Sequence, residues 1–508
     1  MLATTVSAAT FGVDAYLVQV EVSVSRGGMF NFIVVGLPDA AVKESTARVG
    51  VAVRSQGYNF PHTRILVNLA PADVKKEGAA FDLPIALGVI AASGQIEELA
   101  PLNQFVITGE LSLEGTLRPV PGVLPMVIAA RDAGKRGVIL PAENAREAAV
   151  VKGVEIYPVN SIHEAIDVLV GLKDPIPTEE FGDVLQQPNW QIDFHDVRGQ
   201  AAVKRALEVA AAGGHNVLMQ GPPGSGKTML ARRLATILPP LAFEEALEVT
   251  KLYSITGQLG KDRALVTERP FRSPHHTVSD AGLIGGGSVP RPGEISLSHH
   301  GVLFLDELPE FRREVLEVMR QPLEEGFVTI SRAAASITYP ARCLFVGAMN
   351  PCPCGYRGDS AHNCTCDEMQ IRRYRRKISG PLLDRVDIQI EVPRLKHDEL
   401  LEPPAGEPSA AIRQRVCKAR EVQQKRLAGS GALCNAAMNS KQIRQFCRMD
   451  AACETLLKGA IQRLGLSARA YDRVLKLSRT IADLDGQEAI GAEHVMEAIQ
   501  CRTLDRPI

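Results

Sequence analysis

The residues Gly221 to Thr228 read GPPGSGKT, a spacing that suits phosphate chemistry. Gly221, Pro222, Pro223, Gly224, Ser225 and Gly226 would form a loop whose backbone N–H groups can approach phosphate oxygens, and the following helix would turn its positive end toward the same anion. Lys227 is expected to reach the β- and γ-phosphates, and Thr228 to ligate Mg²⁺ through its hydroxyl. The apolar strand VLMQ precedes the loop and the helical MLARRLA follows it, as such a loop requires. Downstream, GVLFLDEL ends an apolar strand in Asp306, expected in the Mg²⁺ shell, and Glu307, expected to orient and activate a water. A further strand, CLFVGAMN, ends in Asn350, placed to sense a γ-phosphate; the plainer reading is a turn amide. Together these residues imply ATP and Mg²⁺.

Immediately after Asn350, Cys352, Cys354, Cys364 and Cys366 form C-x-C-x9-C-x-C. Four thiolates in one short loop suit tetrahedral Zn²⁺ in a structural clip, although the pairs are tighter than the usual C-x2-C. His362 is a spare ligand. The run after the cluster, QIRRYRRKISG, carries five cations from Arg372 to Lys377; they face DNA, a neighbouring subunit, or solvent. The pairs His275–His276 and His299–His300 suggest a metal less well, since adjacent residues on a strand point to opposite sides. Loop hydrogen bonding is expected there.

These groups need elements to hold them. Strands alternating with helices from about residue 191 imply a parallel sheet covered on both faces. The fold class expected is therefore α/β, in four stretches: an α+β domain at 1–171, a Pro- and acid-rich linker at 172–190, the P-loop domain at 191–395 and a helical domain at 396–508. At 508 residues the chain is too long for one core. Its net charge of -1 means that any nucleic-acid site must be a local basic surface. No basic n-region opens the sequence, and no apolar run reaches the ~20 residues that span a bilayer. A cytoplasmic protein without a membrane partner is expected.

The order of P-loop, DE strand, Asn-ended strand and SGPLLDRVDI resembles the AAA+ branch that holds magnesium chelatase motor subunits and the MCM helicases. In that branch an Arg in the LLDR element reaches the ATP of the neighbouring subunit, here Arg385, which couples hydrolysis to a subunit interface. The alternative is an intrachain ion pair with Asp384 or Asp387. LSARAYDRVLKLSRTIADL resembles the second-sensor helix of those families, with Arg469 at the matching position and Arg473 as the fallback. RSPHHTVSDAGLIGGGSVPRPGEISLSHHG resembles their helix-2 insertion, and EEGFVTISRAAASITYPAR the hairpin before the first sensor. The resemblance implies that both loops enter the pore of a ring, with Arg291 and Arg332 touching DNA phosphates or, alternatively, fixing the loops.

The stretch VITGELSLEGTLRPVPGVLPMVIAARDAGKRGVILPAENA is similar to the proteolytic domain of Lon. Ala80 falls near the nucleophilic Ser position and Leu124 at the Lys position, and neither can act. Lys75, Lys76 and Ser45 are weaker alternatives, read as surface residues. A Lon-like module joined to such a motor, with PCPCG after the first sensor, resembles the YifB/ComM group of magnesium-chelatase-like proteins over essentially the whole chain. The group implies a homo-hexameric, ATP-driven DNA helicase that promotes branch migration when incoming DNA is integrated in natural transformation. The alternative is a chelatase-type motor that remodels a protein partner or drives metal insertion.

Overall fold

In the computed structural model the described residues are all except 28, 97–100, 180–189, 261–262, 288–289, 333–334, 360, 396–405, 465–467 and 503–508. Most of the expected linker at 172–190, the tip at Ala333–Ala334 and much of the break before residue 409 lie outside them. The chain forms two compact units: Met1–Leu185 with Ala242–Val266, and Gln186–Leu241 with Thr267–Ile508.

The first unit is built on a mixed seven-stranded sheet in the order Asn31–Val35, Arg64–Ala70, Asp14–Val24, Leu2–Phe11, Phe105–Ile107, Gly137–Pro141, Glu155–Val159. Alternation along each strand sends side chains into two separate apolar clusters. Val18, Val20, Val22, Phe105 and Ile107 enter the first, with the helices Ala40–Ser55 and Asp82–Ala92. Val6, Ala8, Val106, Val138 and Leu140 enter the second, with the helix Val123–Asp132. The helix Phe243–Ile255 packs on this second cluster through Leu247. Its Ser254 carbonyl accepts from Gly122 N at 2.9 Å, and its Ser254 hydroxyl donates to buried Glu147 at 2.7 Å.

The second unit carries a five-stranded sheet, order Phe271–Arg272, Val302–Leu305, Leu344–Met349, Val217–Gln220, Ile388–Glu391. Every pairing in it is parallel. The strands Val217–Gln220, Val302–Leu305 and Leu344–Met349 are buried throughout, which is why each reads as an unbroken apolar run. Because all of them run the same way, the residues following Gln220, Leu305 and Met349 meet at one edge of the sheet, where open α/β sheets bind ligands. The C-terminal region is helical, at Ser409–Leu427, Ser440–Phe446, Ala451–Leu464, Ala468–Leu484 and Ala492–Gln500. It shares one apolar core with the sheet, in which Val416, Leu477 and Val495 meet Val217 and Ile388.

Candidate active site

The glycines of GPPGSGKT are dictated by space and by backbone angle. A Cβ at Gly221 would stand 2.2 Å from the Val392 carbonyl oxygen. Gly224 and Gly226 have left-handed φ of +76° and +88°, a region where side chains cost energy. A Cβ at Gly224 would meet nothing within 4 Å, so the turn opens onto free space. The Ser225 hydroxyl is buried and lacks a hydrogen-bond partner among the described residues. An open, N–H-rich turn with an orphaned hydroxyl, at the start of the helix Lys227–Ile237, fits a phosphate chain.

Lys227 is 8% exposed. Its Nζ donates to the carbonyls of Gly221 at 2.8 Å and Pro222 at 2.9 Å, and lies 3.3 Å from Asn350 Oδ1. Burial pulls its pKa down, and the charges of Asp306 and Glu307 oppose that shift. The Thr228 hydroxyl donates to Asp306 Oδ2 at 2.6 Å, so the two groups expected to share Mg²⁺ already touch. Asp306 also accepts from Glu307 N at 2.9 Å. Glu307 sits at φ +51°, a left-handed conformation that is uncommon for a residue with a side chain and is characteristic of functional sites. Its carboxylate, 57% exposed, lies 3.6 Å from His276 Nδ1. The sequence singled out SPHH but gave no hint of this contact.

The expectation that paired histidines point apart does not hold. The rings of His275 and His276 lie 4.1 Å apart and those of His299 and His300 3.9 Å apart. Neither pair is on a strand, and His300 takes a left-handed φ of +55°, so strand alternation does not apply. Loop hydrogen bonds do form, between His275 Nδ1 and the Thr277 hydroxyl at 2.9 Å and from Arg342 N to His299 Nδ1 at 3.0 Å.

Arg385, three residues before the strand Ile388–Glu391, forms an intrachain ion pair, and the partner is Glu324 rather than Asp384 or Asp387. It also donates to the Pro381 carbonyl at 2.7 Å, while its buried Nε has no partner among the described residues. Asp384 instead lies 3.8 Å from Arg469, which is 63% exposed. Asp387 is held by Arg473 and, at 3.2 Å, by buried His215. Arg291 and Arg332 are brought close together. The hairpin Gly285–Gly286 with Arg291–Pro292 packs on the hairpin Phe327–Arg332 with Ala335–Pro340. The Tyr339 hydroxyl, on the second hairpin, donates to the Pro290 carbonyl at 2.7 Å. A Cβ on Gly286, the pairing partner of Arg291, would stand 3.6 Å from the Arg332 guanidinium. Both arginines are exposed.

The four cysteines converge, with all Sγ atoms within 4.8 Å of one another. Cys352 lies 3.4 Å from Cys354 and 3.7 Å from Cys364, and Cys354 3.6 Å from Cys364. Zn–S bonds of about 2.3 Å place sulfurs about 3.8 Å apart at the corners of a tetrahedron, so the donor set fits Zn²⁺. Backbone N–H groups of Tyr356 and Thr365 lower the Cys354 thiol to about 5. His362 stands aside, 3.2 Å from Asp359 and stacked on Tyr356 at 4.7 Å.

In the first unit, Ala80 and Leu124 belong to the second apolar cluster. The weaker alternatives are engaged in structure. The Ser45 hydroxyl donates to buried Asp82, which also takes Arg48 at 2.9 Å. Lys76 is fully buried, not a surface residue, because the carbonyls of Pro71 and Val74 take its ammonium. Burial pulls its pKa down. Ser45 is likewise fully buried.

A parallel sheet with a P-loop, an acidic strand end, a polar strand end and a helical C-terminal region is the architecture of a magnesium-chelatase-type AAA+ protein. Residues 193–400 match the family described as magnesium chelatase, subunit ChlI; residues 20–144 match subunit ChlI of Mg-chelatase, and 406–502 its C-terminal region. The chain is 46% identical over 510 residues to the Competence protein ComM of Haemophilus influenzae, covering 99% of this chain and 98% of that one. It is 43% identical to the uncharacterized protein YifB of Escherichia coli, covering 98% and 96%. The chain belongs to the ComM/YifB family. Its N-terminal part is also similar to Lon protease 2 of Bacillus subtilis, 32% identical over 141 residues, which are 27% of this chain and 24% of that protease. Among the described residues no helix is long and apolar enough to cross a membrane.

Proposed function

We propose that this chain is an ATP-driven DNA translocase that works as a homo-hexamer and promotes branch migration when DNA is integrated by recombination or transformation. The observation that carries the reading is the joined pair of hairpins, in the same unit as the P-loop, where the exposed Arg332 guanidinium stands beside Gly286, the strand partner of the exposed Arg291. Cations so paired suit a phosphate backbone and carry no base information. The full-length likeness to a competence protein supports DNA as the partner.

In this reading Lys227 leaves the loop carbonyls for the β- and γ-phosphates. Thr228 and Asp306 hold Mg²⁺, which when bound neutralises charge on the phosphates. Glu307 orients the attacking water and takes its proton, while Asn350, already beside Lys227, marks the γ-phosphate end. Arg385 acts on the neighbouring protomer's ATP, and Arg469 approaches from the helical region. The cysteine cluster is a structural Zn²⁺ clip that fixes the strand end carrying Asn350.

The test is ATP turnover with single-stranded, duplex and branched DNA, together with displacement of a labelled strand. DNA should raise turnover and strands should separate; a preparation that shows no stimulation and no displacement rejects the helicase reading. Glu307→Gln should abolish turnover while nucleotide still binds, and retained hydrolysis overturns its assigned role.

A further inference from the structure

An open groove of about 830 Å³ lies beside the catalytic loop, lined in part by Phe311, Arg313, Arg372, Arg373 and Arg376. The helix Glu368–Arg375 forms one wall and the start of the helix Arg313–Val318 another. Its four arginines are exposed. None has an ion-pair partner among the described residues, because the groove's carboxylates are engaged by other cations. Glu310 pairs with Lys377 at 3.1 Å and Glu368 with Arg357 at 3.0 Å.

Arg372 and Arg376 stand one helical turn apart, about 6 Å along the axis, and like charges at that spacing repel. The helix dipole favours cations in its last turn, but only by about 0.3–1 kcal/mol each. The groove is therefore a surface that calls for an anionic partner.

Position identifies the partner. The segment from Pro309 to Arg313 begins two residues beyond Glu307, so the groove borders the site to which, in the ring reading, a neighbouring protomer delivers Arg385. The same delivery separates Arg385 from Glu324, its only ion-pair partner among the described residues. Glu324 is 59% exposed and then stands at the interface without a counter-ion. An uncompensated charge at an interface is costly, whereas exchange to a new cation keeps the balance.

We propose that the groove is an assembly surface for a second copy of this chain, and that Glu324 of one protomer exchanges Arg385 for the groove arginines of the next. The proposal rests on the ring reading above. It links closure of the catalytic site to closure of the ring, since Arg385 is free to act only when Glu324 has another cation.

The test is sedimentation of full-length protein with Mg²⁺ and a slowly hydrolysed ATP analogue. Arg372→Glu with Arg376→Glu should raise the concentration for half-assembly at least about tenfold, with the monomer's melting and nucleotide affinity unchanged. Adding Glu324→Arg should restore assembly, although Glu324→Arg alone weakens it. Assembly at wild-type concentrations in the groove variant overturns the proposal. So does intact assembly with lost DNA affinity, which makes the groove a nucleic-acid site. Wild-type protein that stays monomeric with nucleotide, or Arg385→Ala that hydrolyses ATP normally, overturns the ring reading as well.

Discussion

Gly221→Ala separates steric from conformational demands within the phosphate loop. The added methyl would stand 2.2 Å from the Val392 carbonyl oxygen and 2.9 Å from the Ser225 hydroxyl. An unstrained carbon–oxygen contact needs about 3.3 Å, so one side must move by about 1 Å. Neither side is free to move. Val392 N donates to the Gln220 carbonyl at 2.7 Å and Gly221 N to the Met349 carbonyl at 3.1 Å, which ties both segments to the sheet. The displacement therefore passes into the loop and to Lys227, whose Nζ rests on the Gly221 carbonyl at 2.8 Å. A misplacement of about 1 Å at a reacting centre costs about a hundredfold in rate. Gly224→Ala is the contrast: its methyl meets nothing, and only the left-handed φ of +76° is penalised, at about 1–2 kcal/mol or roughly tenfold. Steady-state ATPase assays on both variants, with thermal melting to confirm folding, give the comparison. Gly221→Ala that keeps turnover within about threefold of wild type, or that outperforms Gly224→Ala, refutes the steric argument.

Other outcomes follow from the same geometry. Purified protein should contain about one Zn²⁺ per chain by elemental analysis, and Cys364→Ser should lose the metal and lower both the melting temperature and turnover; a native, metal-free preparation with full activity contradicts the clip. Glu147 is held above its ordinary value of 4.5 by burial, against hydrogen bonds from Ser254, Asn144 and the Leu124 backbone. Its neutral form is thus favoured on folding, so the associated stability is full below the unfolded-chain value and is lost as pH rises through the raised folded one. Melts from pH 4 to 8 should show that decline in wild type and its loss in Glu147→Gln. Leu124→Lys should not restore proteolysis, and it should destabilise the first unit by several kcal/mol, since it places an ammonium where the side chain is fully buried; casein digestion and denaturant titration report the two effects.

The P-loop, the acidic strand end and Asn350 were legible because each is a contiguous run whose local geometry is written in its own residues. Partners distant in sequence were not. Arg385 was weighed against Asp384 and Asp387, its neighbours in the chain, yet its counter-ion is Glu324 on another element. Local charge patterns do not show which faces the tertiary fold will appose. The helix Phe243–Ile255 presents a similar problem. Apolar periodicity marks a helix but not the sheet it covers, and this one groups with the N-terminal unit although it follows the P-loop helix in the chain. The cysteine cluster was legible in spacing, while the convergence of its four sulfurs and the placement of His362 on Asp359 needed coordinates.

The buried network around Asp387 shows how the helical region can govern Arg385. Asp387 follows Arg385 by two residues and opens the strand Ile388–Glu391. Its carboxylate is held by Arg473 and by His215 at 3.2 Å. His215 in turn meets the Thr480 hydroxyl at 2.8 Å, and both Arg473 and Thr480 belong to the helix Ala468–Leu484. His215 and Thr480 are fully buried and Asp387 is 6% exposed. Breaking one contact would leave a charge or hydroxyl unpaired inside the core, at a cost of several kcal/mol. These contacts tie the strand end to the helix. Arg469, on the same helix, lies by Asp384, the residue preceding Arg385. In the proposed ring, a shift of this helix on nucleotide binding would carry the LLDR element with it, so the proposed second sensor of one protomer would set the reach of the arginine proposed to act on the next.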